Sequence, residues 1–169
     1  MKNQIIYTLN FETQYEIRSA VESDIKAIKW SIPDWSSYWQ EKWQRKLAGE
    51  LDMYLATIND FPIARIWLNW TKQASDGIGE ISSLAVMPPF QGNKIGTNLI
   101  NFAEDIFSQK ALKISQIGID KPNFRAQKLY EKQGYIRARE EQDSLEYTTE
   151  SGEKKLYTED CWILHKTLV

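Results

Sequence analysis

The stretch from Ile78 to Ile106 constrains the fold more than any other part of the chain. Ile78 to Val86 reads as a strand, and Met87-Pro88-Pro89 ends it. A glycine-bearing loop, Gln91-Gly92-Asn93-Lys94, follows. Ile95, Leu99, Phe102, Ala103 and Ile106 then recur at helical spacing, so one helix face is apolar and needs covering. A strand, a loop and an amphipathic helix in that order put a helix against a sheet. The fold class is therefore α/β or α+β.

The flanking segments fill in the sheet. Tyr15–Arg18 reads as a short strand, and Ile25, Ile28 and Trp30 fall at helical spacing until Ile32-Pro33-Asp34 breaks the pattern. Ser37 followed by Gln40 has the form of a capping box. Trp39, Trp43 and Leu47 recur every four residues beyond it, and Gly49 stands where a helix C-cap belongs. Two strands, Met53–Ile58 and Ile63–Trp70, are joined by a turn at Asn59–Pro62. Ile114, Ile117 and Ile119 mark another strand, and Asn123–Gln133 a helix closed by Gly134. In the tail, Cys161, Ile163 and His165 alternate with Trp162 and Leu164, as a strand does. Without repeats, low-complexity tracts or Pro/Gly-rich linkers, residues 1–169 are expected to form one domain.

Composition weighs against some functions. Lys plus Arg total 21 against 23 Asp plus Glu, a balance that argues against a nucleic-acid partner. The one cysteine, Cys161, cannot form an internal disulfide, so a reducing compartment is expected. The start lacks a secretory pattern, and no apolar run approaches the ~18 residues of a membrane span. A soluble cytoplasmic protein with no membrane partner is the expectation. No Cys, His and carboxylate cluster has metal-ligand spacing, so no metal is expected.

The loop between Val86 and Thr97 suits a phosphate. The first amides of a helix have no internal partners, and the helix dipole adds positive character there. Glycine lets the backbone approach a ligand closely. Read alone, the loop is equally an ordinary tight turn. It is neither a P-loop nor a dinucleotide fingerprint, because the glycine and lysine spacings of both are absent.

Two motifs make the resemblance specific. Glu80-Ile-Ser-Ser-Leu84-Ala85-Val86-Met-Pro88 with Gln91-Gly92-Asn93-Lys94-Ile95-Gly96-Thr97 resembles motif A of the GNAT acyltransferases, which reads Q/R-x-x-G-x-G/A. Gln91 and Gly96 fit, and Lys94 replaces the first glycine. Asn123-Phe-Arg-Ala126-Gln-Lys-Leu129-Tyr130-Glu-Lys-Gln-Gly134-Tyr135 is similar to motif B at every fixed position. The resemblance implies a GNAT-like mixed, mostly antiparallel sheet of six or seven strands with flanking helices. The sheet would splay beside Val86 and Ile117, with Gly118 leaving space there. Acetyl-CoA would be the cosubstrate, held by Leu84, Ala85, Val86, Gln91, Gly92, Asn93, Lys94, Ile95, Gly96, Thr97 and Asn123. The family often forms homodimers.

The implied reaction is direct acetyl transfer to a primary amine, small molecule or peptide, in a ternary complex. An amine with pKa near 10.4 is mostly protonated at pH 7, and removing the proton costs roughly 4–5 kcal/mol. A general base is therefore useful, and Glu80 matches its position in some members. Tyr130 matches the family's general acid for the thiolate, and backbone amides near Leu84–Val86 its oxyanion donors. A rival of another class is a CoA-binding sensor or interaction domain without catalysis; a nucleotide binder is more remote. His165 reads as a packed histidine and Cys161 as a small strand residue. Trp35 either shapes the acceptor site or staples the following helix.

Acids crowd the stretch from Glu140 to Asp160: Glu140, Glu141, Asp143, Glu146, Glu150, Glu153, Glu159 and Asp160, against Lys154 and Lys155. In a GNAT-like fold this is the hairpin into the last strand, near the acceptor mouth. The expectation is a cationic acceptor such as a polyamine, aminoglycoside or basic peptide; a solvated acidic hairpin is the alternative.

Overall fold

The computed structural model describes residues 14–32, 36–70 and 74–168. In chain order the elements are β1 (Glu16–Ser19), α1 (Asp24–Ile28), a 3-10 turn (Lys29–Ser31), α2 (Ser36–Leu47), β2 (Leu51–Ile58) and β3 (Phe61–Asn69). They continue with β4 (Ile78–Val86), α3 (Ile95–Gln109), β5 (Ile114–Asp120), α4 (Phe124–Lys132), β6 (Ile136–Thr148) and β7 (Lys154–Thr167). The strands form one 7-stranded sheet in the order β1-β2-β3-β4-β5-β7-β6. All neighbours are antiparallel except β4 and β5. The expected mostly antiparallel mixed sheet is present.

The parallel pair opens the sheet. β4 and β5 are in register only from Ile78↔Ile114 to Ile81↔Ile117. Beyond that, β4 runs on to Val86 and β5 to Asp120 with no ladder between them. The cause lies on the other side of β4. Its register with β3 shifts between Trp67↔Ser83 and Leu68↔Ile81, leaving Ser82 unpaired. Such a bulge bends its strand.

Each face of the sheet has its own core. Ile66, Leu68, Ile81, Ile117 and Ile119 meet α3 through Leu99, Ile100, Ala103 and Phe107. Gly79 makes that contact close, because a Cβ there would stand 2.4 Å from the Phe107 ring. On the other face Trp39 and Trp43 of α2 pack with Met53, Leu55 and Trp67. That side also buries Arg65, which is 3% exposed. Its Nε donates to Ser31 Oγ at 2.8 Å, its Nη1 donates to Ser83 Oγ, and the guanidinium lies 4.4 Å from the Trp67 ring centre. Burial lowers its pKa to about 10. No carboxylate among the described residues pairs with it; the aromatic face stands in for part of the lost solvation.

Some local expectations are corrected. α2 starts at Ser36, so Ser37 lies within its first turn and not at the cap. Its Oγ instead accepts the Thr148 backbone N–H at 2.8 Å, tying α2 to β6. Leu47 does not join Trp39 and Trp43 in the core but is 64% exposed. Each four-residue step overshoots a full turn by about 40°, so the second step leaves the buried side. Pro62 belongs to β3, and the β2–β3 turn is Asn59-Asp60, both at positive φ (48° and 63°) as a two-residue hairpin turn requires. Trp35, with Pro33 and Asp34, lies outside the described residues. Among the described residues no helix is long and apolar enough to cross a membrane.

Candidate active site

The gap between β4 and β5 opens onto a groove of about 790 Å³ on the α3 side of the sheet. Leu84, Ala85 and Val86 form one wall. The loop from Gln91 to Thr97 closes one end, and α4 forms the opposite wall with Asn123, Ala126, Leu129 and Tyr130.

The loop is built to leave donors free. Gln91 Nε2 donates to Val86 O at 2.8 Å, fastening the loop to the end of β4. Its Oε1 accepts from Arg125, fastening the loop to α4. Gly92 turns at φ 87°. Lys94 is the N-cap of α3, in left-handed conformation at φ 60°, and gives no side-chain cap. The first N–H groups of the helix, on Ile95, Gly96 and Thr97, therefore have no acceptor among the described residues. A Cβ on Gly96 would stand 3.4 Å from Leu129 Cδ2, so a large side chain there would fill the passage between α3 and α4. The family motif's preference for glycine at the Lys94 position has a conformational basis, since the residue must sit at positive φ.

α4 begins as its sequence indicates. Asn123 Oδ1 accepts the Ala126 N–H at 3.1 Å, and Gly134 ends the element at φ 88°. Tyr130 then projects into the groove from a buried ring, 4% exposed. Its hydroxyl has no hydrogen-bond partner among the described residues, and burial pushes its phenol well above the ordinary tyrosine value. Tyr135 braces it at 5.9 Å, ring centre to ring centre. The Tyr135 hydroxyl donates to Glu104 Oε1 at 2.9 Å and accepts from Ser115 at 2.6 Å, joining α3 to β5.

Glu80 lies elsewhere, on the α2 side. It lines a cavity of about 400 Å³ with Ser82, Tyr38, Trp67, Asp143 and Glu159. Asn69 Nδ2 donates to Glu80 Oε2 at 2.8 Å, and Arg45 in turn donates to Asn69 Oδ1 at 3.1 Å. Asp143 and Glu159 are direct cross-strand partners on β6 and β7. None of the three carboxylates has an ion-pair partner among the described residues, whereas the cavity's cations are engaged, Lys42 by Glu41 and Arg45 by Glu50.

The structure thus brings together Leu84, Ala85, Val86, Gln91, Gly92, Lys94, Ile95, Gly96, Thr97, Asn123 and Tyr130. Asn93 does not join them, because its amide turns back to donate to Phe90 O at 3.2 Å. Gly118 also misses the groove. It is exposed on the Gln116 face of β5, where a side chain would meet Ile163 at 3.4 Å. Three further cations on α4, Arg125, Lys128 and Lys132, line the groove beside the expected residues. Their i, i+3, i+7 spacing was a visible signal. His165 pairs with Gln116 Oε1 at 2.8 Å, and burial pushes the Cys161 thiol up to about 12. Both fit packed strand residues.

The family model described as Acetyltransferase (GNAT) family matches residues 20–135. The chain belongs to that family. An aminoalkylphosphonate N-acetyltransferase of Salmonella typhimurium is 34% identical over 58 residues, 34% of this chain. The match spans 38% of that relative's length. A GNAT acetyltransferase of Elizabethkingia anophelis with acetyl-CoA bound superposes with a TM-score of 0.67 at 18% identity, covering 91% of this chain and 98% of that one. The PaiA N-acetyltransferase of Thermoplasma acidophilum, in complex with coenzyme A, gives 0.64 at 17%, covering 91% and 99%. A probable acetyltransferase of Staphylococcus epidermidis gives 0.69 at 16%, covering 92% and 100%. At such identities these likenesses establish the GNAT fold.

Proposed function

We propose that this GNAT protein transfers an acetyl group from acetyl-CoA directly to a primary amine in a ternary complex. One observation carries the reading. Among the described residues, a groove with free helix amides and four cations, and with no Asp or Glu in its lining, ends at a buried phenol whose hydroxyl is unpartnered. The acetyl-CoA and coenzyme A bound to two proteins of the same fold support it.

The roles follow from position. The amides of Ile95–Thr97, with Lys94, receive the pyrophosphate. Leu84, Ala85 and Val86 flank the pantetheine arm and offer backbone donors to the carbonyl oxygen. Asn123, Ala126 and Leu129 form the other wall. Glu80, held by Asn69, takes the proton from the acceptor ammonium. The freed amine nitrogen bonds to the thioester carbon and the C–S bond breaks. Tyr130, kept protonated by burial, donates to the departing sulfur. The acceptor enters from the α2 side, where Glu80, Asp143 and Glu159 favour a cationic amine. The lone, buried Cys161 suits a reducing cytoplasm.

The test is coenzyme A release, followed by a thiol reagent, across polyamines, aminoglycosides, amino acids and basic peptides. Release with a cationic amine, together with its acetylated product by mass spectrometry, is the expected result. Tight acetyl-CoA binding without turnover on any amine would favour a non-catalytic sensor.

A further inference from the structure

The groove carries more positive charge than its phosphate loop requires. Lys94 and the free amides of α3 already serve one anionic group at the loop. Arg125, Lys128 and Lys132 add a second set along α4, all three exposed and all lining the same groove. At i, i+3 and i+7 they share one side of the helix. Other cations of the chain are neutralised, Lys29 by Glu150 and Lys121 by Glu140. Among the described residues these three have no such partner; Arg125 donates only to the neutral amide of Gln91. Like charges at i, i+4 destabilise a helix, and an anion beside Lys128 and Lys132 would relieve that. From Arg125 to Lys132 the helix rises about 10 Å, farther than a pyrophosphate extends.

A CoA thioester has two anionic regions separated by its ribose, the pyrophosphate and the 3′-phosphate. A phosphomonoester carries about −1.5 to −2 charges at pH 7 and three strong acceptor oxygens. We propose that Arg125, Lys128 and Lys132 hold the 3′-phosphate of the acyl donor, so that the protein distinguishes CoA from its 3′-dephospho form. The proposal rests on the acetyl-CoA reading above. Charge-assisted hydrogen bonds from lysine and arginine to a phosphate are stronger than neutral ones, and their loss is measurable.

The experiment is isothermal titration of CoA and 3′-dephospho-CoA into the full chain, as wild type and as Lys128→Gln/Lys132→Gln. Both lysines are exposed, and thermal melts check that the variant remains folded. Wild type should prefer CoA by on the order of tenfold, with the preference narrowing as salt rises. The double variant should lose most of that preference while keeping its affinity for 3′-dephospho-CoA. Equal affinities in wild type would overturn the proposal, and so would an undiminished preference in the variant. If wild type binds neither ligand, the acetyl-CoA reading itself fails and this inference falls with it.

Discussion

Lys94 holds a left-handed backbone at φ 60° in the loop proposed to receive the phosphates. That conformation costs a residue with a side chain roughly 1–2 kcal/mol, partly offset because glycine is freer when unfolded. Lys94→Gly should therefore raise stability by up to ~1 kcal/mol while weakening acetyl-CoA binding severalfold. Urea melts and titration calorimetry on the same variant check both halves. Tyr130→Phe should keep acetyl-CoA affinity but lower kcat by ~10²–10⁴ when chemistry is limiting. An unchanged kcat would leave Tyr130 a packing residue. His165 offers a pH test. Burial first, then the nearby Arg139 charge, hold its imidazole below 6.5. The folded state favours the neutral ring, so the unfolded chain takes the proton first as pH falls. This group's stabilisation is full above about pH 6.5 and is lost as pH drops through its folded value. His165→Gln should flatten the fall in urea midpoint between about pH 7 and 5.5. The same slope in both proteins would contradict the assignment.

At the scale of elements, β4 and α3 are joined through Gly79. A methyl group there would overlap the Phe107 ring at 2.4 Å. Gly79→Ala should cost about 1–3 kcal/mol by overpacking, seen as a lower melting temperature. This junction and α4 were legible in the sequence because their signals are local. The stripe from Ile95 to Ile106, the Asn123 cap and the left-handed Gly134 each act within a few residues. β6 was not legible from its own residues. Most of its side chains are exposed, so it shows no clear alternation, and its place depends on pairing with β7. Only the family resemblance implied that hairpin. The groove cations of α4 were missed for a similar reason: the seating of the helix against the sheet decides which side meets a ligand. The acids of the hairpin were all visible, but not their partners. Glu140 pairs with Lys121 and Glu150 with Lys29, cations from other elements. Asp143 and Glu159 are the ones that line the cavity with Glu80.

Across the whole molecule the net charge is only −2, yet the two sides of the opened sheet differ in sign. The α3 side presents Lys94, Arg125, Lys128 and Lys132 to its groove, with no acid among the described lining residues. The α2 side presents Glu80, Asp143 and Glu159, with Lys42 and Arg45 engaged by other acids. An anionic donor and a cationic acceptor can thus approach from opposite faces and meet at the gap between β4 and β5. Exposed charges are screened over ~8–10 Å near physiological ionic strength. Rising salt should therefore lower kcat/KM for the acceptor, and Asp143→Lys/Glu159→Lys should raise its KM. A best acceptor that proves anionic would contradict this division. Whether the groove binds acetyl-CoA is read from the melting temperature. At a hundredfold excess over Kd, acetyl-CoA should stabilise the protein by about 2.7 kcal/mol. Gly96→Trp, which fills the passage beside Leu129, should abolish the shift. No change in wild-type melting temperature at millimolar acetyl-CoA would mean that the groove does not hold this ligand.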